Sequence, residues 1–171
     1  VFMNGGATRN IETLFEERRA HYGSVPQPGG IGLPPDQVLV NFVDNHDVPR
    51  FLFNRSDPDG PAALRAALTY LFTEDGIPCL YYGTEQEFSG GNDPANREPL
   101  WWSGYDTTNE TFRHIARLSR LRAQYDALRY GDFQIRWVTE NTGDADDAGM
   151  LAFERETDDD YALVVINSRG D

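Results

Sequence analysis

Between residues 10 and 22 the apolar positions Ile11, Leu14 and Phe15 fall on one helical face among polar neighbours, and Gly23 follows at once. The spacing predicts an amphipathic helix that stops at that glycine. Next, "SVPQPGGIGLPP" carries too much Pro and Gly for either regular element and predicts a loop. It leads into "QVLVNFVD", an almost unbroken apolar and β-branched run, which is the pattern of a strand buried on both faces. In "GPAALRAALTYLFTEDG", Pro61 suits a first helical turn, Leu64, Leu68, Leu71 and Phe72 form a stripe, and Gly76 suits the stop. "IPCLYYG" again reads as a short buried strand.

A long loop, "TEQEFSGGNDPANREPLWWSGYDT", precedes a third predicted helix over 109–130, with Phe112, Ile115, Leu118, Tyr125 and Leu128 on one side. The order helix, strand, helix, strand, helix indicates parallel β/α units. From Phe133 onward the pattern changes. "FQIRWVTE", "GMLAFERE" and "YALVVIN" are strand-like segments separated by acidic turns at 144–147 and 158–160. They predict an antiparallel module, with a boundary near residue 131. Two or three β/α units cannot bury both faces of a parallel sheet or close one into a barrel. Further strands are therefore expected upstream, and the start at Val1 rather than Met reads as a start inside a longer polypeptide.

A length of 171 residues allows one domain with a real core. Fifteen basic residues, all arginine, stand against 28 acidic ones, and the net charge of −13 opposes binding to phosphate backbones and anionic lipid. The expected partners therefore include no nucleic acid and no membrane. No stretch approaches the ~20 apolar residues of a membrane helix. The single cysteine, Cys79, cannot form an internal disulfide and is expected to behave as a small buried hydrophobe.

Ligands of sheets in this class meet the C-terminal ends of the strands, and both chemistry-bearing motifs lie there. "DNHD", with His46 and Asp47, fits two readings: a turn whose Asp and Asn bond local amides, or part of an active site. "GGNDPANREPLW" sets Asp93 and Arg97 four residues apart, close enough for a surface ion pair or for gripping one ligand from two sides. At the ends of successive parallel strands, the two motifs can face one pocket.

"FVDNHDVPRF" followed by "DGIPCLYYGTEQEFSGGNDPANREPLW" resembles the C-terminal part of the catalytic barrel of the α-amylase family of glycoside hydrolases. The resemblance covers most of residues 1–130, and residues 132–171 resemble the first strands of the antiparallel domain that follows that barrel. It implies an α/β fold class: the C-terminal portion of a (β/α)8 TIM barrel over 1–131, then the beginning of an antiparallel β domain over 132–171. "QVLVNFV" would be the seventh barrel strand and "IPCLYYG" the eighth. By the same resemblance Asp47 stabilises the transition state, His46 binds sugar hydroxyls beside the cleaved bond, and Asp93 and Arg97 hold the same ring. The nucleophile and general acid of a retaining glycosidase would stand on earlier strands. Neither motif is found here, and Glu85 and Glu87 match neither role.

The resemblance thus implies a retaining glycosidase acting on α-glucans such as starch and maltooligosaccharides, with this chain inactive alone and the missing N-terminal part of the barrel as its partner. A glucanotransferase or isomerase of the same family, or a non-catalytic carbohydrate-binding relative, would carry the same residues. No cofactor is expected on this chain, and calcium is left open for the complete enzyme. Extracellular and cytoplasmic locations are both compatible with the sequence. Trp101 and Trp102 could stack on sugar rings, but packing of the long loop against the last helix is the commoner use. "SDPDG" at 56–60 lacks the spacing of a calcium loop and reads as a helix-start turn. "NRS" at 54–56 and "NET" at 109–111 fit the glycosylation pattern, the second being better explained as a helix N-cap.

Overall fold

A computed structural model describes residues 1–55, 57 and 59–169. Parts of "SDPDG" and "NRS" therefore lie outside the described residues. Helix α1 spans Arg9–Tyr22 and buries Ile11 and Phe15, and Gly23 ends it with φ 87°. Leu14 is exposed, contrary to the expected stripe. Helix α2, Gly60–Thr73, buries Leu64, Leu68, Leu71 and Phe72 as predicted, with Pro61 in its first turn. The third predicted helix is two: α3, Glu110–Gln124, and α4, Asp126–Tyr130, broken at Tyr125, whose backbone is extended. Asn109 caps α3, its side chain accepting a hydrogen bond from the Phe112 amide at 2.7 Å, as "NET" predicts.

The two parallel strands are much shorter than their apolar runs. β1 is Val40–Asn41 and β2 is Ile77–Pro78, paired in parallel with Val40 opposite Ile77. Gln37 and Val38 belong instead to a 3-10 turn, Pro35–Val38, because the prolines fix φ near the helical value and remove amide donors from a ladder. Nor are the strands buried on both faces: Val40 is 56% exposed, Phe42 51% and Ile77 49%. A parallel strand is shielded only by neighbours on both sides, and among the described residues β1 and β2 have only each other. Cys79, just past β2, is exposed rather than buried for the same reason.

Between α2 and β2 the chain turns at Gly76 with φ 87°. A Cβ there would stand 2.6 Å from both the Leu39 carbonyl and the Asn41 side chain, so glycine is required. Asn41 Nδ2 also donates to the Asp75 carbonyl at 2.9 Å.

From Asp132 the chain forms an antiparallel sheet of β3, Asp132–Trp137, β4, Met150–Glu156, and β5, Tyr161–Asn167, in that order. Period-2 alternation puts Phe133, Leu151, Phe153 and Ile166 into a core with Ile11 and Phe15 of α1. A second core joins Phe51 and Leu52 to Leu64, Leu68 and Leu71 of α2 and Ile115 and Leu118 of α3. Each such side chain contributes about 1.5–3 kcal/mol on burial, so the loop carrying "DNHD" is held down by two of its own residues.

A buried arginine, Arg155, and a partly buried one, Arg122, join sheet and helices at the C-terminus of α2. Arg155 of β4 donates to the Thr73 carbonyl at 2.9 Å and the Gly131 carbonyl at 2.8 Å. Arg122 of α3 donates to Phe72 at 2.9 Å and Gly76 at 2.6 Å. Both meet the negative end of the helix dipole and otherwise orphaned carbonyls. Burial lowers the Arg155 guanidinium to about 10. No described helix is long and apolar enough to cross a membrane.

Candidate active site

Because β1 and β2 are parallel neighbours, the loops leaving their C-terminal ends start side by side. Asp44, almost fully buried, ties them together: one carboxylate oxygen accepts from the Phe51 amide at 3.1 Å, the other from the Thr84 hydroxyl at 2.8 Å. Asn45 Oδ1 accepts from the Asp47 amide at 2.8 Å. The turn reading of "DNHD" is thus true of Asp44 and Asn45. The turn leaves His46 and Asp47 pointing outward, with His46 Nε2 3.3 Å from Asp47 Oδ1 and the Asp47 side chain 69% exposed.

A second clamp comes from the loop after β2. Asn96 is fully buried, and its Nδ2 donates to the carbonyls of His46 at 2.9 Å and Val48 at 2.8 Å. Both partners only accept, so the amide nitrogen must face them. The neighbouring residue, Arg97, donates from Nε to Asp93 Oδ1 at 2.5 Å and reaches the His46 carbonyl with Nη2 at 3.5 Å. All four expected residues, His46, Asp47, Asp93 and Arg97, therefore sit on one exposed surface, joined through the His46 main chain.

Beneath them lies Arg50, buried although charged. Its Nε donates to Glu98 Oε2 at 3.2 Å and its Nη1 to the Tyr82 carbonyl at 2.7 Å, while its carbon Cζ lies 4.1 Å from the Tyr81 ring centroid. Glu98 in turn accepts from the Ser89 and Gly90 amides at 3.1 and 2.6 Å. A Cβ on Gly90 would fall 1.9 Å from the Ala95 carbonyl, so the two turns of this loop touch main chain to main chain. Arg50 thus makes a rigid floor, and the Tyr81 ring it stacks on stands 6.4 Å from that of His46.

The hydrogen bond that Arg97 donates to Asp93 and the Asp93 charge, then smaller contributions from Tyr81 and Asp47, raise the Arg97 guanidinium above its ordinary value against the effect of desolvation. The surface thus offers a permanent cation between two carboxylates and an imidazole, a set that accepts from and donates to vicinal hydroxyls. Glu85 and Glu87 are engaged elsewhere. Glu85 accepts from the Gly83 amide at 2.7 Å, and Glu87 from the Thr111 hydroxyl at 2.6 Å. Among the described residues no group of three or more His, Cys, Asp or Glu could hold a metal ion. An open cavity of about 510 Å³, lined by Phe2, Leu14, Val40, Phe42 and Tyr70 among others, includes none of the four site residues.

Asp44, Arg50, Asn96 and Glu98 are missing from the expected set. Asn96 binds backbone carbonyls, which leave no pattern of complementary side chains. For Arg50 the signal was present: an arginine between "DVP" and the apolar "FLF".

Parallel β/α pairing with polar loops gathered at the strand ends is the arrangement of barrel and open-sheet enzymes. The chain belongs to the α-amylase family. It is 38% identical over 173 aligned residues to the Beta/alpha-amylase of Paenibacillus polymyxa, covering 98% of this chain and 12% of that protein. Against the cyclomaltodextrin glucanotransferase of Geobacillus stearothermophilus it is 38% identical over 134 residues, covering 77% of this chain and 17% of the relative. The solved structure of an Anoxybacillus α-amylase matches with a TM-score of 0.78 and 31% identity, over 98% of this chain and 33% of that one. The chain thus corresponds to a part of TIM-barrel enzymes, well under two thirds of their length. No family model matches it.

Proposed function

We propose that residues 1–131 are the C-terminal part of the catalytic (β/α)8 barrel of an α-amylase-type retaining glycosidase acting on α-glucans, and that 132–171 begin its antiparallel C-terminal domain. Asp47 stabilises the transition state; His46, Asp93 and Arg97 hold the sugar ring. The observation that carries this reading is the joining of the two motifs at one surface, through Arg97 and Asn96 on the His46 carbonyl. The exposed apolar residues Val40, Phe42 and Ile77 agree with it, since they are where earlier barrel strands would pack.

Glycoside cleavage passes through an oxocarbenium-like state, and bonds to ring hydroxyls that strengthen there lower the barrier. The Asp47 carboxylate accepts such bonds while its negative charge stabilises the developing positive charge, and His46 donates one. Arg97, paired with Asp93, holds that carboxylate in place and fixes a neighbouring hydroxyl. The nucleophile and the general acid come from the preceding part of the barrel.

A glucanotransferase would use the same groups, and a cyclomaltodextrin glucanotransferase is among the relatives. The test measures reducing ends released from soluble starch by the full-length protein and by the 171-residue chain. Release by the full-length protein alone is expected. Release by the isolated chain above a buffer control overturns the division of labour, and a folded full-length protein that neither hydrolyses nor transfers glucan is a non-catalytic relative.

A further inference from the structure

The loop after β2 ends in a 3-10 turn, Leu100–Ser103, carrying two adjacent tryptophans. The commoner fate of such residues, packing against the last helix, is not theirs. Trp101 is 66% exposed, Trp102 71%, and Tyr105 just beyond them 59%. Their backbone is held in place. The Trp102 amide bonds the Pro99 carbonyl at 3.0 Å, Gly104 bonds Trp101 at 3.2 Å, and the Ser103 hydroxyl donates to the Leu100 carbonyl at 2.7 Å. Gln86 Nε2 and Asn109 Nδ2 both donate to the Asp106 carbonyl, at 3.1 and 3.0 Å, anchoring the segment from behind. Exposed aromatic side chains are thus carried by a braced turn, whose backbone needs little further ordering on binding a ligand.

We propose that Trp101 and Trp102, flanked by Tyr105, form a second α-glucan-binding platform that extends the candidate site. Three observations select this occupant. The net charge of −13 disfavours anionic partners and leaves a neutral polyol favoured. The three rings together offer on the order of 400 Å² of aromatic surface, short of the ~800 Å² per partner of a stable protein interface but suited to stacking on sugar rings. The platform is also continuous with the site: Trp101 is four residues from Arg97, at most about 14 Å of chain, so a glucan held by Arg97 can run onto it. The choice of α-glucan rests on the proposed reading of the site.

The test is affinity electrophoresis of the full-length protein in gels containing soluble starch, in an Asp47→Asn background so that glucan is not consumed. The double variant Trp101→Ala/Trp102→Ala should weaken starch retardation at least tenfold, while Trp137→Phe, an exposed tryptophan on β3, leaves it unchanged. Because both side chains are exposed, the double variant should melt with its parent. Unchanged retardation overturns the platform, as does a parent with none, and turnover of the Asp47 protein on short substrates then tests the site reading separately. Self-association that the double variant abolishes, without glucan binding, assigns the surface to a second copy and likewise overturns the proposal.

Discussion

Replacing Asn96 by alanine removes two hydrogen bonds, at 2.9 and 2.8 Å, from carbonyls on either side of Asp47. A neutral hydrogen bond contributes about 1 kcal/mol net, and a carbonyl left unpaired away from water costs about 1–3 kcal/mol. Asn96 is fully buried, so water does not simply take its place, and the loss should be about 3 kcal/mol. For a chain of this size that lowers Tm by about 6–12 °C. Asn96→Asp tests the same point without a cavity: an ionised carboxylate facing two carbonyls is repelled, so it should cost at least as much as alanine at pH 7. Protonation restores one donor, so part of that loss should return near pH 4. Thermal melts by circular dichroism at both pH values measure this. A melting point for Asn96→Ala within 2 °C of wild type would show that the clamp contributes nothing.

Glu74, at the end of α2, is raised to about 7 by burial, with Arg18 at 3.0 Å opposing and Asp75 adding to the shift. A carboxyl raised in the folded state binds more protons folded than unfolded between its unfolded value of 4.5 and about 7. Stability should therefore fall as pH rises through that window, by up to about 3 kcal/mol. Urea midpoints of wild type and Glu74→Gln, compared at pH 5 and 7.5, should diverge; parallel profiles refute the assignment. Gly90→Ala must push a Cβ into the Ala95 carbonyl, which overpacks the loop by about 3 kcal/mol; an unshifted urea midpoint would mean that this turn gives way freely.

Where the pattern along the chain is set by local packing, the fold was legible. Period-2 alternation placed β3, β4 and β5, and the stripe Leu64, Leu68, Leu71 and Phe72 placed α2. The parallel strands were over-read because an apolar run reports the burial that a residue is suited to, while a strand's length and burial depend on its neighbours. Val40 and Ile77 are exposed in the absence of those neighbours. Leu14 was misplaced for the same reason, and it lines the same open cavity as Val40 and Phe42. In the site, type and spacing drew attention to the charged surface residues but left each motif two readings, and the family resemblance chose between them. The supports beneath them were not picked out: Asn96 acts on main-chain carbonyls and Asp44 on a main-chain amide and the Thr84 hydroxyl, while Arg50, visible between "DVP" and "FLF", shows its part only once Tyr81 and Tyr82 are placed beside it.

The central claim is that Asp47 acts on the transition state and not on the loop. Asn45 caps the turn and Asp44 ties it down, while the Asp47 side chain is exposed beside His46, so exchanging its carboxylate for an amide of nearly equal size removes no bond that holds the loop. Losing one preorganised charged group from a transition state costs on the order of 10²–10³ in rate, or about 3–4 kcal/mol. The decisive measurement is kcat of the full-length protein carrying Asp47→Asn, beside its melting temperature and its affinity for a maltooligosaccharide. The account predicts a melt within a few degrees of wild type, similar affinity, and turnover at least about a hundredfold slower. A folded variant that keeps most of its kcat contradicts it and returns "DNHD" to an ordinary polar turn.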